Sequence, residues 1–295
     1  MSSTEDALQP PKDTTPPKDT TLSDSLNRIR QDQAEVSVEA RQPSAERAVE
    51  ILDDLKERID PEILAGLCHP NIVLILTGAR AQTEDYILHP TERDRVALEK
   101  AADLLQDYGI ALIIDNEVDT RAIDDAEILG FFIVDLAILA RASRSTTIPG
   151  IIHYGASTGV EGMQAWVKDC VRSLEAQSKE GHLDKKISQE NLVHIVVGIA
   201  KGYPDKAILS YLCNIDDAVT AEHVMSSDIE HADEYDCPQP NYLYGNELLN
   251  DPDVLSHQQM WAKLLEDFYE SKWHEDIKTD PRYKQILTKQ REGLG

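Results

Sequence analysis

Asn71-Ile72-Val73-Leu74-Ile75-Leu76-Thr77-Gly78-Ala79-Arg80 is the stretch on which the reading of the fold turns. Consecutive aliphatic residues stop abruptly at a polar, glycine-containing turn. A short apolar run bounded in this way predicts a strand buried on both faces. A helix is then expected from Thr91 to Tyr108, with Val96, Leu98, Ala101, Ala102, Leu104 and Leu105 on its apolar face and Gly109 as its stop. Ile110 to Ile114 predicts a second strand, ending at Asp115-Asn116-Glu117. Phe131 to Leu139 fits strand or buried helix by periodicity, and the length of Ala126 to Ala142 favours helix. Ile151-Ile152-His153-Tyr154 predicts a further strand, leading through Gly155-Ala156-Ser157-Thr158-Gly159 into a helix from Met163 to Ala176. Strand, helix, strand, then strand, turn, helix is the rhythm of a parallel α/β sheet.

Upstream of this core, Pro10 to Thr15 is a hexapeptide repeated at Pro16 to Thr21, and polar sequence continues to Pro43. Proline pairs among small polar residues bury too little surface to offset ordering entropy, so a disordered leader is expected. Ser44 is a natural N-cap for a helix running to Ile59, carrying Ala48, Ile51, Leu52 and Leu55. Downstream, Leu192 to Ala200 reads as helix, with a strand as its rival. Lys201-Gly202-Tyr203-Pro204-Asp205 reads as a corner into a helix over Asp205 to Leu212. A long loop over Glu230 to Tyr244 precedes helices near Val254 to Trp273 and Arg282 to Gln290. The expected architecture is α/β: a short, mostly parallel sheet flanked by helices over 44–180, a mainly helical region over 181–295, and a disordered leader over 1–43.

The chain carries 54 Asp+Glu against 29 Lys+Arg, a formal net charge of -25. Such a surface repels a phosphate backbone, whose binding depends on Lys and Arg displacing counterions, so nucleic acid is excluded as a partner. An anionic membrane is disfavoured by the same sign argument. The apolar run from Ile128 to Ala140 is shorter than the roughly 20 residues a bilayer requires. MSSTEDALQP is acidic where a signal peptide is basic and then apolar, which points to a soluble, cytoplasmic protein. Cys68, Cys170, Cys213 and Cys237 are scattered without a C-x-x-C pair, as expected of reduced, packed thiols.

In an open α/β sheet, ligands sit beyond the carboxyl ends of the strands. Two stretches in this acidic chain lack any carboxylate, Ile63 to Thr83 and Leu136 to Val160. They hold Arg80, Arg141 and Arg144 at expected strand or helix ends, beside Ser143, Ser145, Thr146 and Thr147. Guanidinium forks, hydroxyls and backbone N–H groups are what a phosphate or carboxylate needs. The expected site is therefore an anion site at the carboxyl edge of the sheet, built from Arg80, Arg141, Arg144, Ser157, Thr158 and Gly159. His153 and Asp115 would handle protons if the protein is an enzyme. The bland alternative pairs the arginines with Asp124, Asp125 and Glu127.

Gly155 to Gly162 resembles the glycine-rich turn of nicotinamide-dependent dehydrogenases. Glu161 stands where a small residue would face pyrophosphate, and no Tyr-x-x-x-Lys follows, so an ordinary turn into a helix is the preferred reading. His223, Asp228, Glu230, His231, Asp233, Asp236 and Cys237 offer metal ligands without a recognised spacing. Cys68-His69 are sequence neighbours whose side chains point apart, and there is no G-x-S-x-G elbow for a nucleophile. No cofactor is named by these residues. Two functions are carried forward. One is binding of a small anionic ligand, nucleotide-like or phosphorylated. The other is a non-catalytic interaction or regulatory protein whose acidic surface meets a basic protein partner.

Overall fold

The computed structural model describes residues 42–88, 90–115, 128–214, 248 and 250–283. Its elements run α1 (Ala45–Lys56), α2 (Pro61–Leu67), α3 (Pro70–Leu76), β1 (Gln82–Leu88), α4 (Glu92–Leu105), β2 (Ile110–Asp115), β3 (Ile128–Asp135), α5 (Leu136–Ser145), α6 (Gly159–Lys179), α7 (Leu192–Ala200), α8 (Asp205–Cys213), α9 (Pro252–Tyr269) and α10 (Lys272–Thr279). The three strands form one sheet in the order β1-β3-β2, and both pairings are antiparallel. The expected mostly parallel α/β sheet is thereby corrected: this is a largely helical protein divided by a small antiparallel sheet.

The run Ile72–Leu76 is helix α3, not a strand. Pro70 sits in the first turn, where its missing N–H costs nothing. Thr77 donates its hydroxyl to Leu74 O at 2.9 Å, and Gly78 takes the left-handed backbone (φ 82°) that ends the helix. The whole run is 0 % exposed. A helix apolar on every side has to be buried all round, which gives the same sequence pattern as a doubly covered strand. Each such aliphatic side chain contributes about 1.5–3 kcal/mol by leaving water.

The missing strand is β1, whose residues Gln82-Thr83-Glu84-Asp85-Tyr86-Ile87-Leu88 are too polar to stand out. It is a sheet edge, where charged side chains are common. The ambiguous run from Ala126 to Ala142 is both things, with Ala126 and Glu127 outside the described residues. Asp135 divides it: its backbone ends β3, and its carboxylate accepts from Ala137 N and Ile138 N to start α5. Ile151–Tyr154 is not a strand but an irregular segment. Other elements agree with expectation: Ser44 caps α1, Thr91 and Asp94 form a capping box on α4, β2 follows Gly109, and Leu192–Ala200 is helical. The leader as far as residue 41, the Glu230–Tyr244 loop and residues 284–290 lie outside the described residues.

Alternation along β3 gives the sheet two faces. Leu129, Phe131 and Ile133, with Ile110 and Leu112 of β2, face a core built from α1 to α4, α9 and α10. Val134 faces a second core built from α5 to α8. Arg47 of α1 ties the two together. It donates to Ile75 O at 3.0 Å and Leu76 O at 2.8 Å at the end of α3, and meets Asp135 at 2.7 Å. Burial pushes the Asp135 carboxyl pKa up, opposed by Arg47 and the α5 amides.

Two outcomes follow for stability. Arg47→Met leaves the Asp135 charge buried without its cation and should cost about 3–5 kcal/mol in urea unfolding. A loss below about 1 kcal/mol would make the pair peripheral. Burial also holds His257 and His274 neutral, each with its pKa lowered from 6.5 to about 4. The unfolded chain binds protons on both below pH 6.5, whereas the folded chain binds them only near pH 4. Their contribution is complete above pH 6.5 and is lost as the pH falls towards 4, by up to about 1.4 kcal/mol per pH unit for each ring. His274→Leu should flatten that acid limb of a stability–pH curve.

Candidate functional site

The segment after α5 is built by side chains doing what strand neighbours normally do. Tyr154 N donates to Ser143 Oγ at 2.9 Å, and His153 Nδ1 lies 3.2 Å from Ser143 O. A carbonyl only accepts, so Nδ1 is the donor in this bond. Ile152 is held at both backbone atoms: its N–H points at Cys170 Sγ (3.4 Å), and its carbonyl accepts from Trp166 Nε1 (2.7 Å). Tyr154 packs edge-on against Trp166 and donates its hydroxyl to Gly159 O at 2.7 Å; burial pushes that phenol's pKa up.

The glycine-rich turn has packing reasons of its own. Ala156–Thr158 forms one 3-10 turn, and Gly159 (φ 63°, ψ -170°) reverses into α6 with a backbone that side chains rarely tolerate. A Cβ at Gly162 would fall 2.3 Å from Thr158 Cβ, so close approach of the first helical turn requires glycine there. Thr158 Oγ1 donates to Gly155 O at 2.7 Å. His153, Ser157 and Thr158 are exposed, as are Arg144, the residue after Ser143, and Glu161 in the first turn of α6.

Other expected anion ligands serve the fold. Arg80 is 3 % exposed; it donates from Nε to Gln82 O at 2.8 Å and from Nη1 to Asn71 Oδ1 at 2.7 Å. Its guanidinium lies 5.7 Å from the ring centres of both Tyr203 and Trp261, and burial pulls its pKa down. Arg141 is half-buried and donates to Gly78 O at 2.9 Å, beside the Arg47–Asp135 pair. The hydroxyl cluster has an internal anion: Thr146 Oγ1 reaches Asp205 Oδ1 at 2.8 Å, and Thr147 donates its N–H (2.6 Å) and hydroxyl (2.7 Å) to Oδ2. The sequence reading used Asp205 only as a helix start and missed this role.

Asp115 ends β2 opposite Gly130, at the other end of the strand pair from Asp135. His153, Ser157, Thr158 and Gly159 thus lie within one short segment of the chain, a few residues after Arg144, while Arg80 and Arg141 serve contacts at the ends of α3 and β1 and Asp115 ends β2. Asp124, Asp125, Glu127 and the possible metal ligands from His223 to Cys237 lie outside the described residues. Among the described residues, no group of His, Cys, Asp or Glu is arranged to hold a metal ion, and no helix is long and apolar enough to cross a membrane. Cys68, Cys170 and Cys213 are free thiols; burial pushes Cys68 up to about 12, far from a reactive thiolate. The chain matches no known protein family, no curated protein and no solved structure.

If Asp205 is the anion of the Thr146–Thr147 cluster, Asp205→Ala should remove three hydrogen bonds to a carboxylate. A loss of about 1–3 kcal/mol in thermal or urea unfolding is expected. An unchanged melting temperature would show that the clamp contributes nothing.

Proposed function

We propose that the protein binds a small anionic ligand, nucleotide-like or phosphorylated, on the face made by the end of α5 and the start of α6. The observation that carries this is the exposed group His153, Ser157 and Thr158 within Leu136 to Val160, a stretch free of carboxylates. An antiparallel sheet has no common carboxyl edge, so the ligand is assigned to this face and not to the sheet. Ser157 and His153 supply a hydroxyl and a ring nitrogen, and Arg144 the positive charge. A thermal-shift series with inorganic phosphate, nucleotides and phosphorylated sugars tests it in low and high salt. A ligand at about a hundredfold over its Kd adds about 2.7 kcal/mol of stability. The shift should disappear in Ser157→Ala and His153→Ala; no shift with any of these compounds would sink the reading.

A second reading is favoured by α1, which presents Glu46, Glu50, Asp53, Asp54 and Glu57 along its exposed side. In that reading the protein is non-catalytic and meets a basic protein partner through its acidic surface. Capture of poly-lysine that weakens with salt and with Glu46→Lys/Glu50→Lys supports it. Capture indifferent to those changes counts against it.

A further inference from the structure

Two hydrogen bonds at the strand ends fix which way the backbone of each edge strand points. Asp135 N donates to Ala81 O, so these two residues are a directly bonded pair of the β1–β3 ladder. Bonded pairs recur at every second residue of an antiparallel ladder. Thr83, Asp85 and Ile87 therefore turn their N–H and C=O groups to β3, while Gln82, Glu84, Tyr86 and Leu88 turn theirs away from it. The bond from Leu136 N to Gly109 O in the same way turns Ile110, Leu112 and Ile114 of β2 outward.

The two edges differ in access. On β2, Ile110 is 0 % and Leu112 8 % exposed, so that edge is covered. On β1, Glu84 is exposed. Arg80 Nε takes Gln82 O at 2.8 Å, and Glu84 O accepts the neighbouring Thr83 hydroxyl at a long 3.4 Å. Among the described residues, no strand pairs with this edge, and no backbone hydrogen bond uses the outward N–H groups of Glu84 and Tyr86. Main-chain groups repeating at every second residue are what an added strand needs.

Charge selects the occupant. Edge strands commonly carry charged side chains that keep like chains from adding to them. The guards here are acidic, with Glu84 on one face of β1 and Asp85 on the other. Lys201 meets Glu84 Oε1 at 3.1 Å, yet that side chain is still 62 % exposed; His69 lies 3.9 Å from Asp85. In a chain of net charge -25, a second copy or any acidic strand is repelled from this edge. A basic strand is attracted to it.

We propose that the outer edge of β1 takes up an extended, basic segment of a protein partner as a fourth strand of the sheet. This rests on the basic-partner reading and gives that partner a conformation and a docking place. Main-chain hydrogen bonds to Glu84 and Tyr86 supply the hold, and the acidic guards supply the preference for lysine and arginine.

The test uses the full chain at low salt and labelled hexapeptides read by fluorescence anisotropy. These are Lys-Val-Lys-Val-Lys-Val, the same peptide methylated at every backbone nitrogen, and Glu-Val-Glu-Val-Glu-Val. The first should bind about tenfold more tightly than either of the others. Glu84→Pro removes an outward N–H that the β1–β3 ladder does not use, and should weaken the lysine peptide about tenfold. If Glu84→Pro lowers the melting temperature, Glu84→Arg decides in its place, because it reverses the charge at an exposed position; the same loss is expected. No binding of the lysine peptide, equal binding of its methylated copy, or affinity unchanged by the Glu84 variants overturns the edge proposal. If poly-lysine is still captured under those outcomes and Glu46→Lys/Glu50→Lys weakens it, the basic-partner reading survives alone. If poly-lysine is not captured either, both fall. Binding sensitive to methylation and to Glu84 supports the edge; poly-lysine capture indifferent to Glu46→Lys/Glu50→Lys then moves the contact from α1 to β1.

Discussion

Arg47 and Asp135 tie α1 and the end of α3 to the end of β3 and the start of α5, and much of the fold is arranged around that contact. The guanidinium closes the end of α3 by taking the carbonyls of Ile75 and Leu76. The carboxylate it meets is at once the last residue of β3 and the cap of α5. A small sheet owes its stability to what packs on it, and here helices cover both of its faces. A buried ion pair adds little net stability over an apolar replacement of the same shape. Its effect is geometric: α1 has one rotation and α5 one starting point that leave no charge or amide unsatisfied.

The second organising constraint is the surplus of carboxylates. In a chain with 54 acids to 29 bases, a cluster of donors that ends up near another element is readily met by an internal acceptor. Thr146 and Thr147 are met by Asp205, Arg141 by the Gly78 carbonyl, and Arg80 by Asn71 and Gln82. Lys206 is met in the same way by Asp251 and Asp253, joining α8 to the start of α9. His153 and Ser157 stay exposed in the carboxylate-free stretch from Leu136 to Val160.

Part of this fold is legible in the residues alone. Helices with explicit punctuation were legible: Ser44 before α1, the Thr91–Asp94 box before α4, and Pro204-Asp205 before α8. Their end signals are local and survive any tertiary context. The fold class was not legible, because Ile72–Leu76 satisfies strand and buried helix equally while β1 carries almost no apolar alternation. Pro70 and Gly78 were the available signals for a helix between them. For the site, the absence of carboxylates over Leu136 to Val160 was visible. Which of its donors face outward was not, since Asp205 lies 59 residues beyond Thr146.

The sequence by itself determined the acidic character, the helices with strong caps, and the carboxylate-free stretch from Leu136 to Val160. Tertiary structure alone decided that α3 is a helix, that the sheet is antiparallel, and that Ile152 stands outward while Arg80 does not. The reason is the range of the interactions. Caps and turn glycines act within a few residues, so composition and spacing specify them. Burial from every side, strand pairing and the choice of partner for a charge are set by atoms far away in the chain, and a local pattern is the same whichever of them arrives.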